Sequence, residues 1–199
     1  MQVKPSELEE ETAKTLTAFE QSNKEIQKDL RMVFINSVEE VEYEGADGAS
    51  AKYYLVRIPY RSLTFYKKVG AKMIEHLEDK FKWPVIVIIN RSIDSKRKIQ
   101  HASQMRPRSR TLKAVHKAVL EDCCVPSQVV GRRSRVSQTT GFTEVVYLDP
   151  LDKFLVEEKL DAMAAAYAKL TTHKITIAFA KPTPFQKKKL EKLNEKRSQ

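Results

Sequence analysis

WPVIVIIN, residues 83–90, is the stretch on which the fold turns. Val85–Ile89 are all β-branched and do not alternate with polar residues. A short run of that kind suits a strand covered on both faces. It is far too short to span a bilayer, which takes roughly 20 apolar residues. A strand covered on both faces needs helices on either side, so the neighbouring sequence should supply them.

It does. Upstream, Leu63, Tyr66, Val69, Met73 and Leu77 put an apolar stripe on a helix predicted over 62–80, with Ser62 as its cap and Gly70 as a weak point. Before it, Val33–Tyr43 and Ala51–Tyr60 read as two strands around the turn-forming EGADGAS. The chain opens with the capping-box spacing Ser6–Glu9, and Leu8, Ala13, Leu16, Phe19, Ile26 and Leu30 extend it into an amphipathic helix of about 24 residues. Downstream, Leu112, Val115, Val119 and Cys123 predict the buried stripe of a helix ended by Pro126. A hairpin turning at Thr139–Gly141, an Ala- and Leu-rich helix over 153–171, a strand KITIAFA and a lysine-rich tail complete the chain. No internal repeat is visible. The expectation is an α/β (α+β) single domain, with a mixed β-sheet flanked by helices, a basic loop or hairpin and a basic C-terminal tail. Its parts are an acidic helix at 1–31, the mixed domain at 32–181 and the tail at 182–199.

Charge is unevenly spread along the 199 residues, whose net charge is +10. Residues 1–47 hold five Lys/Arg against twelve carboxylates, whereas residues 91–135 hold twelve Lys/Arg against Asp94, Glu121 and Asp122. Residues 181–199 hold seven Lys/Arg against two carboxylates. A polyanion is the expected partner of the basic part, nucleic acid ahead of an anionic membrane. The acidic part would face solvent or a basic protein.

The basic block resolves into Lys96, Arg97 and Lys98, then Arg106, Arg108 and Arg110 with Lys113 behind them, then Arg132, Arg133 and Arg135. In an extended chain alternate residues share a face, so Arg106, Arg108 and Arg110 would form a row of guanidinium forks suited to phosphate. The helix start behind them adds unpaired N–H groups and a positive dipole end. No aromatic residue interleaves with these clusters, which argues for reading backbone and shape in structured RNA over stacking on single strands.

Catalytic patterns are absent: no G-x-G-x-x-G, P-loop, G-x-S-x-G or H-E-x-x-H occurs. Glu121 and Asp122 are adjacent, about 100° apart on a helix, and read as an acidic helix end. Cys123 stands two helical turns from His116, too far for a nucleophile–base pair. His76, His101, His116 and His173 are scattered and the two cysteines are neighbours, so neither a metal site nor a disulfide is expected, and no cofactor. The amino terminus has no apolar signal core, which predicts a cytosolic or nuclear protein.

Residues 106–136, RPRSRTLKAVHKAVLEDCCVPSQVVGRRSRV, resemble the signature block of the eukaryotic-type small-subunit ribosomal protein seven family. The likeness rests on Arg106–Leu112, Ala114-Val115-His116, Leu120-Glu121-Asp122, Pro126-Ser127, Val130-Gly131 and Arg133, and a weaker one spans about 33–182. Cys123-Cys124 and the long lysine-rich tail depart from the usual pattern. The resemblance implies a non-catalytic component of the cytosolic small ribosomal subunit. It would bind the central domain of small-subunit ribosomal RNA and neighbouring ribosomal proteins, and assemble in the nucleolus within the pre-ribosomal particle. It implies no membrane and no small-molecule substrate. The alternatives are a non-ribosomal assembly or translation factor for structured RNA and, more remotely, an RNA-processing enzyme.

Overall fold

The computed structural model describes residues 5–45, 50–95, 106–139 and 141–197. They form two compact units, divided between Val125 and Pro126.

In the first unit, helices α1 (Glu7–Ser22) and α2 (Gln27–Leu30) precede strands β1 (Ser37–Glu44) and β2 (Ser50–Ile58). Helix α3 (Leu63–Phe81), strand β3 (Val85–Ile89) and helix α4 (Leu112–Cys123) follow. Strand order is β1-β2-β3, with β1 antiparallel and β3 parallel to β2. All five residues of β3 are buried, as their composition requires. Val85, Val87 and Ile89 share a core with Val56 and Ile58 of β2 and with Tyr66, Val69, Met73 and Leu77 of α3. Helix α4 packs on β3 as well, so the strand is covered on both sides. It nevertheless lies at the sheet's edge, and β2 is central. An edge strand has outward N–H groups to satisfy. Here Glu78 Oε1 accepts from the Val85 N–H at 3.2 Å and Asp122 Oδ2 from the Ile89 N–H at 3.3 Å.

The predicted opening helix breaks at Asn23. Ser22 Oγ donates to the Ala18 carbonyl at 2.9 Å and Asn23 Nδ2 to that of Phe19 at 3.4 Å. Short polar side chains competing for helix carbonyls end α1 one turn before Gln27. Glu9 does perform its half of the predicted box, accepting the Ser6 N–H at 2.9 Å. Ser62 stands at the N-cap position of α3, as expected, but its side chain makes no capping bond there. It is fully buried, donates to the Met32 carbonyl at 2.9 Å and accepts the Phe34 N–H at 3.3 Å, tying the approach to β1 against α3.

In the second unit, strands β4 (Val129–Ser137) and β5 (Gly141–Leu148) form the expected hairpin. Gly141 closes it with φ +70, a left-handed conformation that favours glycine. The predicted helix over 153–171 is split into α5 (Lys153–Val156) and α6 (Leu160–Thr171) by a 3₁₀ turn at Glu157–Lys159. Strand β6 (Thr176–Phe179) then pairs parallel to β5, and helix α7 (Pro184–Arg197) ends the unit. Thr183 and Gln186 form a reciprocal cap on α7, each backbone N–H meeting the other's side-chain oxygen, at 3.0 and 3.4 Å.

The mixed α/β class therefore holds, with the strands distributed over two three-stranded mixed sheets. Each sheet is an antiparallel hairpin followed by a helical crossover to a parallel strand, then a helix. The repeat is one of topology and leaves no trace in the sequence.

Gly70 sits where α3 has no room for a side chain. A Cβ there would lie 2.8 Å from the ring of Tyr66, itself buried. Gly70→Ala should lower stability by about 1–3 kcal/mol, the usual cost of overpacking. Ordinary helix propensity predicts a gain of about 1 kcal/mol. Denaturant unfolding of the variant gives the sign directly.

Candidate nucleic-acid interface

Carboxylates sort the arginines. Asp94 is the lone acid of residues 91–110. Its N–H donates to the Arg110 carbonyl at 3.1 Å, its own carbonyl accepts from Arg106 Nη1 at 2.6 Å, and its Oδ2 lies 3.3 Å from Arg110 Nη1. Asp94 thus fastens the two described ends of the basic segment to each other. Arg108–Arg110 form a 3₁₀ turn, so the expected extended row of arginines does not exist. Arg106 and Arg110 turn back toward Asp94, while Arg108 and Lys113 are exposed. Thr111 precedes α4, and Leu112, expected in the buried stripe, is exposed whereas Val115 and Cys123 are buried. Lys96, Arg97 and Lys98 lie outside the described residues.

Asp122, read from the sequence as part of an acidic helix end, is buried. It forms a two-pronged ion pair with Arg91, its Oδ1 3.1 Å from Nη2 and its Oδ2 against Nη1, while also accepting the Ile89 N–H. Burial pushes its carboxyl above the usual aspartate range, and Arg91 opposes that shift. Burial likewise pushes both cysteine thiols up, that of Cys124 to about 12, which removes any thiolate nucleophile near neutral pH.

On β4 the three arginines divide by face. Arg132 pairs with the buried Glu144 through Nε–Oε1 and through Nη2–Oε2 at 2.9 Å. Arg133 and Arg135 point to the other face, opposite Val145 and Thr143. With Tyr147 these residues line a shallow cavity of about 180 Å³. Among the described residues Arg108, Lys113, Arg133 and Arg135 form no ion pair. Sequence reasoning missed Asp94 and Glu144, although each is the lone carboxylate of a basic stretch, which was the available signal.

A comparison with protein families matches the description "Ribosomal protein S7e" over residues 1–179. The chain belongs to the ribosomal protein S7e family. It is 34% identical over 175 residues to small ribosomal subunit protein eS7 of Avicennia marina, covering 88% of this chain and 90% of that one. It is 34% identical over 178 residues to eS7z of Arabidopsis thaliana, covering 89% and 91%. It is 35% identical over 181 residues to eS7B of Saccharomyces cerevisiae, covering 90% and 93%. The S7e match includes the whole arginine-bearing region and stops before α7. Among the described residues no group of three or more His, Cys, Asp or Glu could hold a metal ion, and no helix is long and apolar enough to cross a membrane.

The Arg132 contact holds the Glu144 carboxyl below its ordinary value of 4.5, aided by His173 and Ser134. A carboxyl depressed in the folded state stabilises above its unfolded value and loses that contribution as pH falls through the folded one. Glu144→Gln should therefore lower the thermal midpoint at neutral pH and flatten the acid-side decline below about pH 4.5. Asp122 works in the opposite sense: its raised carboxyl favours the fold below its ordinary value and loses that contribution as pH rises through the folded one. Asp122→Asn should consequently not flatten the acid limb. Melting curves of the two variants against wild type across the acid range separate the cases.

Proposed function

We propose that this chain is a structural constituent of the eukaryotic small ribosomal subunit, binding its ribosomal RNA and neighbouring ribosomal proteins without a catalytic step of its own. Family membership and relatives named as small ribosomal subunit proteins over about nine-tenths of the chain support the assignment. The observation that carries RNA contact is the set of cations left over after the carboxylates have taken theirs. Arg108 and Lys113 stand beside the start of α4, and Arg133 and Arg135 stand on the open face of β4. Each cation that neutralises a phosphate releases a counterion, which makes the contact salt-dependent.

Lys96, Arg97 and Lys98, outside the described residues, are included as RNA contacts on charge alone. Arg106, Arg110 and Arg132 serve it chiefly by fixing the backbone, through Asp94 and Glu144. Within this reading the RNA is the central domain of the small-subunit molecule. The chain enters the pre-ribosomal particle in the nucleolus and works in the cytosolic ribosome, and the basic tail 182–199 adds a further contact. A non-ribosomal RNA-binding factor would need the same cations but would wash off the subunit in high salt.

The triple variant Arg108→Ala/Arg133→Ala/Arg135→Ala should bind deproteinised small-subunit ribosomal RNA more weakly. Its plot of log affinity against log salt should be shallower by about two to three units, as expected for three lost phosphate contacts. Removal of Arg106 and Arg110 should instead disturb the local fold and change the slope less. An unchanged slope in the first variant, with wild-type incorporation into subunits, removes these cations from the interface.

A further inference from the structure

The face of the β4–β5 hairpin that carries Arg133 and Arg135 is built as a cleft. Cross-strand pairing sets Arg135 opposite Thr143, Arg133 opposite Val145 and Gly131 opposite Tyr147. The two arginines, Thr143, Val145 and Tyr147 line a concave space of about 180 Å³. Gly131 brings no side chain to its end, so the half-buried Tyr147 ring has no ladder partner to cover it. Glu144, the lone carboxylate of the two strands, lies on the reverse face in its pair with Arg132. So does the exposed apolar pair Val136 and Phe142 at the tip. The cleft therefore combines two guanidinium forks, two hydroxyls and one aromatic ring, with no acid among them. Among the described residues neither the Tyr147 phenol nor the Thr143 hydroxyl makes a hydrogen bond.

The spacing and the hydroxyls together select the occupant. Alternate residues of a strand stand about 7 Å apart, close to the step between successive phosphates along one nucleic-acid strand. Two forks at that spacing suit two neighbouring phosphates, each held in bidentate fashion. An acidic peptide would answer the forks but offers no regular group to the phenol beside them. A nucleic-acid strand carries a sugar between its phosphates, and in RNA that sugar bears a 2′-hydroxyl that both donates and accepts. Tyr147 is the diagonal neighbour of Arg133 across the ladder, a separation that aromatic and long side chains span. We propose that the cleft seats one strand of small-subunit ribosomal RNA by its backbone, with Arg133 and Arg135 on successive phosphates and the Tyr147 phenol on the 2′-hydroxyl of the ribose beside Arg133. Thr143 adds its hydroxyl to the phosphate that Arg135 holds. This assignment rests on the RNA-binding role above and adds to it a contact that tells RNA from DNA.

The full chain is titrated with deproteinised small-subunit ribosomal RNA, and with a short RNA hairpin and the DNA hairpin of the same sequence, at several salt concentrations. Wild type should bind the RNA hairpin more tightly than the DNA one. Tyr147→Phe, which keeps the ring, should weaken binding to both RNAs about threefold to tenfold, the scale of one lost hydrogen bond. It should leave DNA binding and the salt slope unchanged, so that the preference for RNA narrows by the same factor. Arg133→Ala/Arg135→Ala should instead flatten the slope by about one to two units on RNA and DNA alike. Gly131→Val tests the seat without touching its chemistry. A Cβ at 131 lies 3.8 Å from the Tyr147 ring, an ordinary contact, so the strand accepts a side chain that fills the end of the cleft. Its thermal midpoint should hold, since glycine weakens a strand interior, while its RNA affinity should fall. Wild-type RNA affinity in Tyr147→Phe, or an equal loss on RNA and DNA, overturns the ribose contact. Wild-type affinity in Gly131→Val overturns the cleft as the seat. In either case a flattened slope in the arginine pair leaves the RNA role standing, whereas an unchanged slope in that pair removes the hairpin from the RNA interface as well. A photoreactive residue at position 143 that crosslinks in intact subunits to a neighbouring protein and not to RNA also overturns the proposal.

Discussion

The Asp122 carboxylate does three things at once, and the first unit depends on all of them. It satisfies an outward N–H of β3, it neutralises Arg91, and it anchors α4 against the strand. Removing one partner from a buried ion pair strands the other at a cost of about 3–5 kcal/mol. Here the stranded groups would be a guanidinium and a peptide N–H at the point where the chain leaves the core. The apolar strand thus carries at its end the polar group that defines where the basic segment begins. Asp94, a few residues on, defines where that segment returns. The cations displayed to solvent are positioned by carboxylates that are engaged within the protein.

This arrangement divides the arginines by role in a way that composition conceals. Arg91, Arg106, Arg110 and Arg132 each find an oxygen within the protein. Arg108, Arg133 and Arg135 form no ion pair among the described residues, although they alternate with the others in sequence. A planar fork with five donors serves either purpose equally well. What decides is whether a carboxylate lies within reach, and that depends on strand register and on the turn at Arg108–Arg110.

Much of the fold was legible because it rests on periodicity. The β-branched run Val85–Ile89, the stripe Tyr66–Leu77 and the glycine of the second hairpin each imply their own local structure. The failures have a common cause in long-range pairing. Ser62 looked like a helix cap because its target, the Met32–Phe34 backbone, is some 30 residues away in sequence. Asp122 looked like no more than an acidic helix end because Arg91 is 31 positions distant. Leu112 looked buried because helical spacing identifies a face but not how far the covering layer reaches. At the interface, residue types were legible and their use was not, since Arg132 and Arg133 are neighbours with opposite fates.

The two hairpins make the cost of this specialisation visible. Their topology is the same, yet β1 is strewn with glutamates and β4 with arginines. In the first hairpin three of the four β1 glutamates are answered across the ladder: Lys52 lies 2.8 Å from Glu40 and 3.2 Å from Glu42, and Arg57 3.2 Å from Glu39. Opposed charges on neighbouring strands stabilise a ladder, and like charges left side by side weaken it. The second hairpin answers only Arg132 and leaves Arg133 and Arg135 together on one face, with an apolar pair bare at its tip. The first hairpin carries four glutamates against Lys52 and Arg57, the second three arginines against Glu144, so each keeps a surplus of two charges, of opposite sign; departures from local self-consistency of this kind fall where a protein meets its partner. On the proposed reading, RNA phosphate supplies the charge that Arg133 and Arg135 lack within the protein.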